Sequence, residues 1–295
     1  MDINYELYKV FYYVASSLSF SEASKQLFIS QSAVSQSIKT LERKLEQPLF
    51  IRSTKKVQLT PAGKMLLKHI EPAMNLIRRG ETQLMDSQSL GLGQLRIGAS
   101  DTICRYFLVP YLKEFHKRFP KVPIKVTNAT SLACVDLLEQ GKVDLIVTNF
   151  PNARLNTSYV QKTVCEFHDV FIANPSYFDL KPEFTLSELT EKPILMLNRK
   201  CTTSDFLHNL FLQNQMELIP EIELSSNDLL IDLARIGLGI AFVPDFCLKA
   251  NEKDLVRIGL KEVMPKRQIV VASNPSVPTA GSTMEFMDLL PNITR

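Results

Sequence analysis

The stretch from Ser30 to Leu45 constrains this chain most. Val34, Ile38, Leu41 and Leu45 recur at steps of four, three and four, so a helix here turns all four onto one buried face. The opposite face then carries Ser32, Ser35, Gln36 and Lys39, with Gln31 at the amino-terminal tip and Ser30 as an N-cap. Upstream, Leu7, Val10, Phe11 and Val14 give an apolar stripe for a first helix over 5–16. Ser21 is a candidate cap for a second helix, Glu22 to Phe28, and a short break follows at Ile29. A short helix, a tight turn and a helix exposing short hydrogen-bonding side chains suit entry into a major groove. Gln pairs bidentately with adenine and Ser serves several base edges, whereas long acidic side chains would meet phosphates with like charge.

The next segment extends this pattern. Pro48 to Arg52 and Val57 to Leu59 read as two short strands around Ser53-Thr54-Lys55-Lys56, a basic hairpin or wing. Thr60-Pro61 supplies a cap followed by proline at the first helical position. Leu67, Ile70, Met74, Ile77 and Leu84 then continue at helical spacing, a seam of the kind that pairs with a copy of itself, although Glu81 takes one seam position and Pro72 should kink the helix. Charge follows the same division. Residues 1–90 hold 12 Lys+Arg against 8 Asp+Glu, while the other 205 hold 22 against 23, so the basic excess that suits a polyanion sits entirely in the first third.

From Gln94 onward strands and helices alternate. Candidate strands are 95–98, 123–127, 143–148, 164–173, 193–197, 219–224, 239–243 and 267–273; candidate helices are 102–119, 131–140, 202–214, 226–236 and 280–290. Such alternation implies parallel sheets covered by helices, with ligands bound beyond the carboxyl ends of the strands. Four polar clusters fall there: Ser100-Asp101-Thr102, Asn128 with Thr130-Ser131, Thr148-Asn149, and Cys201-Thr202-Thr203 after Arg199-Lys200. Each could simply cap a helix, and helix N-termini also present free amides to a ligand.

Residues Phe11 to Gly63, with S-F-S-E-A-S-K-Q-L-F-I-S-Q-S-A-V-S-Q-S-I-K-T-L-E and then L-T-P-A-G, resemble the winged helix-turn-helix of LysR-type transcriptional regulators. Ser32 stands where that family most often has proline, and Gln36 where it often has arginine, so base preferences of its own are expected. Ile97–Pro110, Glu139–Val147 and Gly237–Pro244 resemble markers of the family's effector domain. The resemblance implies an α/β chain with an N-terminal winged helix-turn-helix over 1–60, a long linker and dimerisation helix over 61–90, and a two-lobed periplasmic-binding-protein-like effector domain over 91–295. Lobe I would span about 91–165 and 269–295 and lobe II about 166–268, with crossings near 164–167 and 267–270. It further implies that Gln31, Ser32, Ala33, Ser35 and Gln36, joined by Lys39, meet bases or nearby phosphates. Arg52, Lys55 and Lys56 would hold the flanking backbone or minor groove. Ser100, Asp101, Thr102, Asn128, Thr130, Ser131, Asn149, Cys201, Thr202 and Thr203 would line an effector site. The expected partners are an operator in double-stranded DNA, a small-molecule effector and further copies of the chain, as a homodimer and then a tetramer. RNA polymerase is a further candidate.

Other classes find little support. The five cysteines lie at least 30 residues apart and the four histidines show no ligand spacing, so no disulfide framework or metal site is expected. No cofactor is implied. Apolar runs such as Val170 to Ala173 fall far short of the ~18 residues a membrane span needs, and Met1 to Glu6 lacks the pattern of a secretory signal, so a cytoplasmic protein is expected. An enzyme on a two-lobed fold is the first rival, yet Gly98 to Thr102 lacks the closing glycine of a nucleophile elbow, and Gly237-Leu238-Gly239 has Phe242 where a dinucleotide loop needs glycine. A redox regulator using Cys201, with Lys200 beside it, is the second. In the branch regulating sulfur and carbon assimilation, a hydroxyl residue commonly stands where this chain has Asp101. A carboxylate facing the cleft would oppose a bare anion and favour a zwitterionic or amine-bearing effector; one that instead capped the helix would leave anion binding open.

Overall fold

The computed structural model describes residues 3–52, 56–85, 92–199, 201–248 and 254–293. They fall into two compact units, Met1–Met85 with Glu139–Lys142, and Asp86–Leu138 with Val143–Arg295.

The first unit opens with α1 (Tyr5–Ser17), α2 (Phe20–Leu27) and α3 (Gln31–Leu45), followed by the hairpin β1 (Phe50–Arg52) and β2 (Val57–Leu59) and the helix α4 (Pro61–Met85). Ser30 caps α3, its hydroxyl accepting the Ala33 N–H. The second helix starts earlier than the sequence suggests. Ser19, not Ser21, caps it by accepting the Glu22 N–H, because Phe20 is drawn inward to pack edge-on against Phe50. Val34, Ile38 and Leu41 are fully buried with Phe11 and Val14 in one core. Thr60 caps α4 by accepting the Gly63 N–H at 2.9 Å and donates to the Pro48 carbonyl at 2.7 Å. A Cβ on Gly63 would lie 2.2 Å from the Leu49 carbonyl oxygen, so helix and wing backbone touch where only glycine fits. The helix runs on through Pro72.

The second unit contains β3 (Leu95–Ala99), α5 (Asp101–Ile103), a π-helical turn at Cys104–Leu108, α6 (Val109–Arg118), β4 (Ile124–Asn128), α7 (Ser131–Glu139), β5 (Leu145–Phe150), β6 (Val160–Phe167) and β7 (Asp169–Ala173). It continues with β8 (Glu183–Phe184), α8 (Leu186–Thr190), β9 (Ile194–Leu197), α9 (Thr202–Gln213), β10 (Ile222–Leu224), α10 (Asn227–Arg235), β11 (Ile240–Pro244), β12 (Val256–Leu260), β13 (Arg267–Ser273) and α11 (Gly281–Leu289). One sheet has the order β4-β3-β5-β13-β6 and the other β10-β9-β11-β7-β12-β8.

Both sheets are mixed rather than parallel. β13 runs antiparallel to β5 and β6, and β7 antiparallel to β11 and β12, because the chain passes between the sheets and each arriving strand inserts against the local direction. The expected strand over 164–173 is two strands in different sheets, parted at His168; the return passage ends at Arg267, where β13 begins. The helix expected over 102–119 is three pieces. Pro110 has no N–H to offer the Tyr106 carbonyl, and the ladder widens so that Val109 bonds back to Cys104 before α6 begins. Strands β8 and β12 and helix α8 have no counterpart among the expected elements.

Candidate nucleic-acid interface and effector cleft

Gln31, Ser32, Ala33, Gln36 and Lys39 are exposed on α3 and Ser35 is half-buried. Gln31, Ser32 and Ser35 share a recess of about 460 Å3 with Phe20 and Val57, two apolar residues that the polar pattern did not flag. Ser32 is partly committed, since its hydroxyl lies 2.9 Å from that of Ser30. Arg52 ends β1 opposite Val57, and Lys56 is exposed just before β2; Lys55 lies outside the described residues. Glu42 has a role its place in a basic stretch concealed. Its Oε1 accepts the N–H groups of Leu49 at 2.8 Å and Phe50 at 3.1 Å, tying the end of α3 to the root of the β1–β2 hairpin.

In the second unit, β4, β3 and β5 are parallel neighbours, so Asn128, Ser100 and Asn149 emerge at the same end of one sheet. Ser100 caps α5 by accepting the Ile103 N–H; Asp101, next in line, is exposed and does not serve as that cap. Asn128 Oδ1 receives the Cys104 thiol, and burial, with Asp101 nearby, pushes that thiol up to about 11. Thr130 accepts the Ala133 N–H. Ser131 is buried and structural, accepting the Asn149 N–H on its hydroxyl and the Asn152 amide on its carbonyl.

The other lobe reaches this sheet end through α10. Asn227 Nδ2 donates to Thr102 Oγ1 at 2.9 Å, Arg105 Nη1 lies 3.2 Å from Asp228 Oδ2, and the Tyr106 hydroxyl bonds Asp228 Oδ1. Burial and the Asp228 carboxylate push the Tyr106 hydroxyl well above its usual range, so it stays a donor. Asn227 and Asn149 are both more than nine-tenths buried, and each leaves its Oδ1 without a hydrogen-bond partner. Two such acceptors ask for donors from elsewhere.

Thr202 and Thr203 turn inward. Arg267, fully buried at the start of β13, donates from Nη2 to Thr202 Oγ1 at 3.2 Å and from Nη1 to Thr203 Oγ1 at 3.1 Å and Asp169 Oδ2 at 2.7 Å. Its guanidinium lies between the rings of Phe167 and Phe206, at 5.3 and 4.9 Å. Burial pushes the Asp169 carboxyl up while the guanidinium pulls it back. Sequence reasoning missed Arg267, since nothing local marks a strand residue whose partners lie 64, 65 and 98 positions away. Cys201 accepts the Ser204 N–H as the cap of α9, and burial pushes its thiol up, the reverse of what a reactive thiolate needs. Among the described residues no group of three His, Cys, Asp or Glu could hold a metal ion, and no helix is long and apolar enough to cross a membrane.

Residues 5–64 match the family model for a bacterial regulatory helix-turn-helix protein of the lysR family, and residues 88–292 match the LysR substrate binding domain. Among similar sequences, a probable RuBisCO transcriptional regulator of Phaeodactylum tricornutum is 27% identical over 269 residues, covering 88% of this chain and 87% of that protein. The HTH-type transcriptional regulator AlsR of Bacillus subtilis is 26% identical, covering 88% and 86%. Among solved structures, a full-length OxyR variant of Pseudomonas aeruginosa superposes with a TM-score of 0.71 at 18% identity, covering 98% and 95%. Full-length CbnR complexed with its target DNA gives 0.67 at 18%, covering 98% and 99%. The regulatory domain of CcmR from Synechocystis in complex with 2-PG gives 0.60 at 20%, covering 66% of this chain and 94% of that one. These structures share the fold. With both of its units matched in order, the chain belongs to the LysR family, as a DNA-binding transcriptional regulator with an effector-binding domain.

Proposed function

We propose that α3 reads bases through Gln31, Ser32, Ser35 and Gln36, with Ala33 and Lys39 beside them and Arg52, Lys55 and Lys56 on the flanking backbone. The observation that carries this is an exposed face free of acidic side chains above a fully apolar rear face. A small effector then binds where Ser100, Asp101, Thr102, Asn128, Thr130 and Asn149 approach α10, with Ser131, Cys201, Thr202 and Thr203 shaping the walls. The unpartnered acceptors of Asn149 and Asn227 support a ligand that donates hydrogen bonds there. We read the domain as a binding device rather than a catalyst, and the raised Cys201 thiol favours effector control over thiol oxidation. The exposed Ile77 and Leu84 on α4 support pairing with a second copy, and from pairs a tetramer. RNA polymerase is the natural further partner of a bound regulator, and a DNA target sets its work in the cytoplasm.

Selection of binding sites from random duplexes tests this reading. Gln31→Ala should lower discrimination by about 1–3 kcal/mol at one position of the recovered site with little change in non-specific affinity. Lys56→Ala should weaken all duplexes alike and flatten the salt dependence. Equal, sequence-independent losses from both variants would show that the base-reading face lies elsewhere.

A further inference from the structure

The regulatory unit holds a cavity of about 550 Å3, within the size range of small-molecule sites, of which Thr202 alone belongs to the polar clusters legible in the sequence. Its walls are largely apolar: Phe150 at the end of β5 with Pro151 and Leu155 just beyond it, Phe206 and Leu210 from α9, and Pro265 beside the return passage between the sheets. An occupant would therefore touch both lobes.

Two of the polar lining residues, Asn152 and Thr202, are already engaged, while the neutral amides of Asn209 and Gln213 are exposed. Asn152 donates to the Ser131 carbonyl and to Thr148 Oγ1, while its Oδ1 accepts the Arg154 N–H. Thr202 Oγ1 accepts from Arg267, whose guanidinium is sealed behind Phe206 and paired with Asp169. Among the described residues no Lys, Arg or His lines the cavity, and the one ionisable lining group is Asp205, half-buried on the first turn of α9 and in no ion pair. A carboxylate or phosphate entering here would lose water without gaining a cation and would face a like charge. An ammonium would gain one partner, and an apolar body would cover the aromatic and aliphatic walls.

We propose that this cavity binds an organic amine with an aromatic or branched apolar body, its ammonium on Asp205. The proposal rests on the reading of this unit as an effector-binding domain and adds a site apart from the polar cleft, together with the chemical class it accepts. The wedge between segment 150–155 and α9 gives such a ligand contacts that depend on the spacing of the two lobes, which is how binding would bias the domain.

Isothermal titration of the full-length protein with three matched probes tests this: 2-phenylethylamine, 2-phenylethanol and 3-phenylpropanoate. The amine should saturate one site per chain and bind about tenfold tighter than the alcohol, with the carboxylate weakest. Asp205→Asn should erase the amine's advantage and leave the alcohol within about twofold. Ala153→Trp, an exposed lining position, should plug the cavity and abolish binding of both while the protein still binds DNA. Carboxylate binding as tight as amine binding, an unchanged amine-to-alcohol ratio in Asp205→Asn, or no saturable amine binding would each overturn the proposal. If these probes fail while another small molecule shifts the melting temperature and the DNA affinity, the effector reading stands and only this site falls. If no small molecule does either, both fall.

Discussion

Replacing Arg267 by methionine strands Asp169. Among the described residues the guanidinium is the only group bonded to that carboxylate, with Oδ2 at 2.7 Å and Oδ1 already unpartnered, and both side chains are fully buried. Removing one partner of a buried pair leaves an uncompensated charge and costs about 3–5 kcal/mol, whereas replacing both by apolar residues of similar volume is close to neutral. Arg267→Met should therefore lose that amount in urea denaturation at pH 7, and the double variant Arg267→Met, Asp169→Leu should recover most of it. The pH dependence gives a second, independent reading. Desolvation already raises the Asp169 carboxyl against the pull of the guanidinium. Without that pull the folded protein keeps a proton that the unfolded chain releases near the ordinary Asp value of about 3.9. A folded-state value raised in this way stabilises below the unfolded value and loses its contribution as pH rises toward the folded one. The variant should thus weaken by about 1.4 kcal/mol per pH unit above roughly pH 4, relative to the double variant. A loss under about 1 kcal/mol, or a single variant with the same pH slope as the double, would refute a buried charge pair as the source of the effect.

Glu42→Ala should free two wing N–H groups and cost about 2–3 kcal/mol in thermal or urea unfolding of the DNA-binding unit, with Glu42→Gln recovering part of it; a loss no larger than that of an exposed site such as Gln26→Ala would count against the tie. Gly63→Ala, pressed against the Leu49 carbonyl, should destabilise the same unit by several kcal/mol or displace α4, read by its melting temperature. Ile77→Lys should weaken self-association in sedimentation and DNA binding together, and a wild-type protein that is monomeric at micromolar concentration yet binds its operator would refute the seam. Asp101→Ser should tighten anionic ligands of the polar cleft and weaken amines by calorimetry; unchanged binding of both would remove Asp101 from ligand selection.

Much of this architecture is legible from local pattern, and its failures share one cause. The buried face of α3, the Ser30 cap and the Thr60-Pro61 start depend on residues a few positions apart, and β13 matches its expected span residue for residue. What escaped depends on distant contacts. Ser19 rather than Ser21 caps α2 because Phe20 packs against Phe50. The run 164–173 looks continuous because its apolar residues do not record that β6 and β7 serve different sheets. Strand β12 hides behind Gly259, where a Cβ would lie 2.4 Å from the Pro182 carbonyl oxygen, so a residue that reads as a breaker marks a close approach to β8. The polar clusters after strands mark Ser100, Asn128 and Asn149 at one end of the first sheet. The cavity beside α9 carries no such local mark, since its Phe206 and Leu210 read as ordinary core.

Helix α4 is braced along the DNA-binding unit as a strut, not as a tether. It is fixed at its root by Thr60 and Gly63 against the wing, and again at Arg78, whose guanidinium lies 5.1 and 5.3 Å from the rings of Tyr12 and Tyr13 on α1. Fifteen steps of helix separate Gly63 from Arg78, about 23 Å of rise. A rod held at two points that far apart cannot swivel, so if two copies pair along these rods, as proposed above, the joint also fixes the distance and angle between their two α3 helices. Spacing between half-sites then becomes a property cut into the protein. An operator lengthened or shortened by a base pair has to be accommodated by bending or twisting the DNA, and the energy of that distortion discriminates between sites at positions no side chain touches.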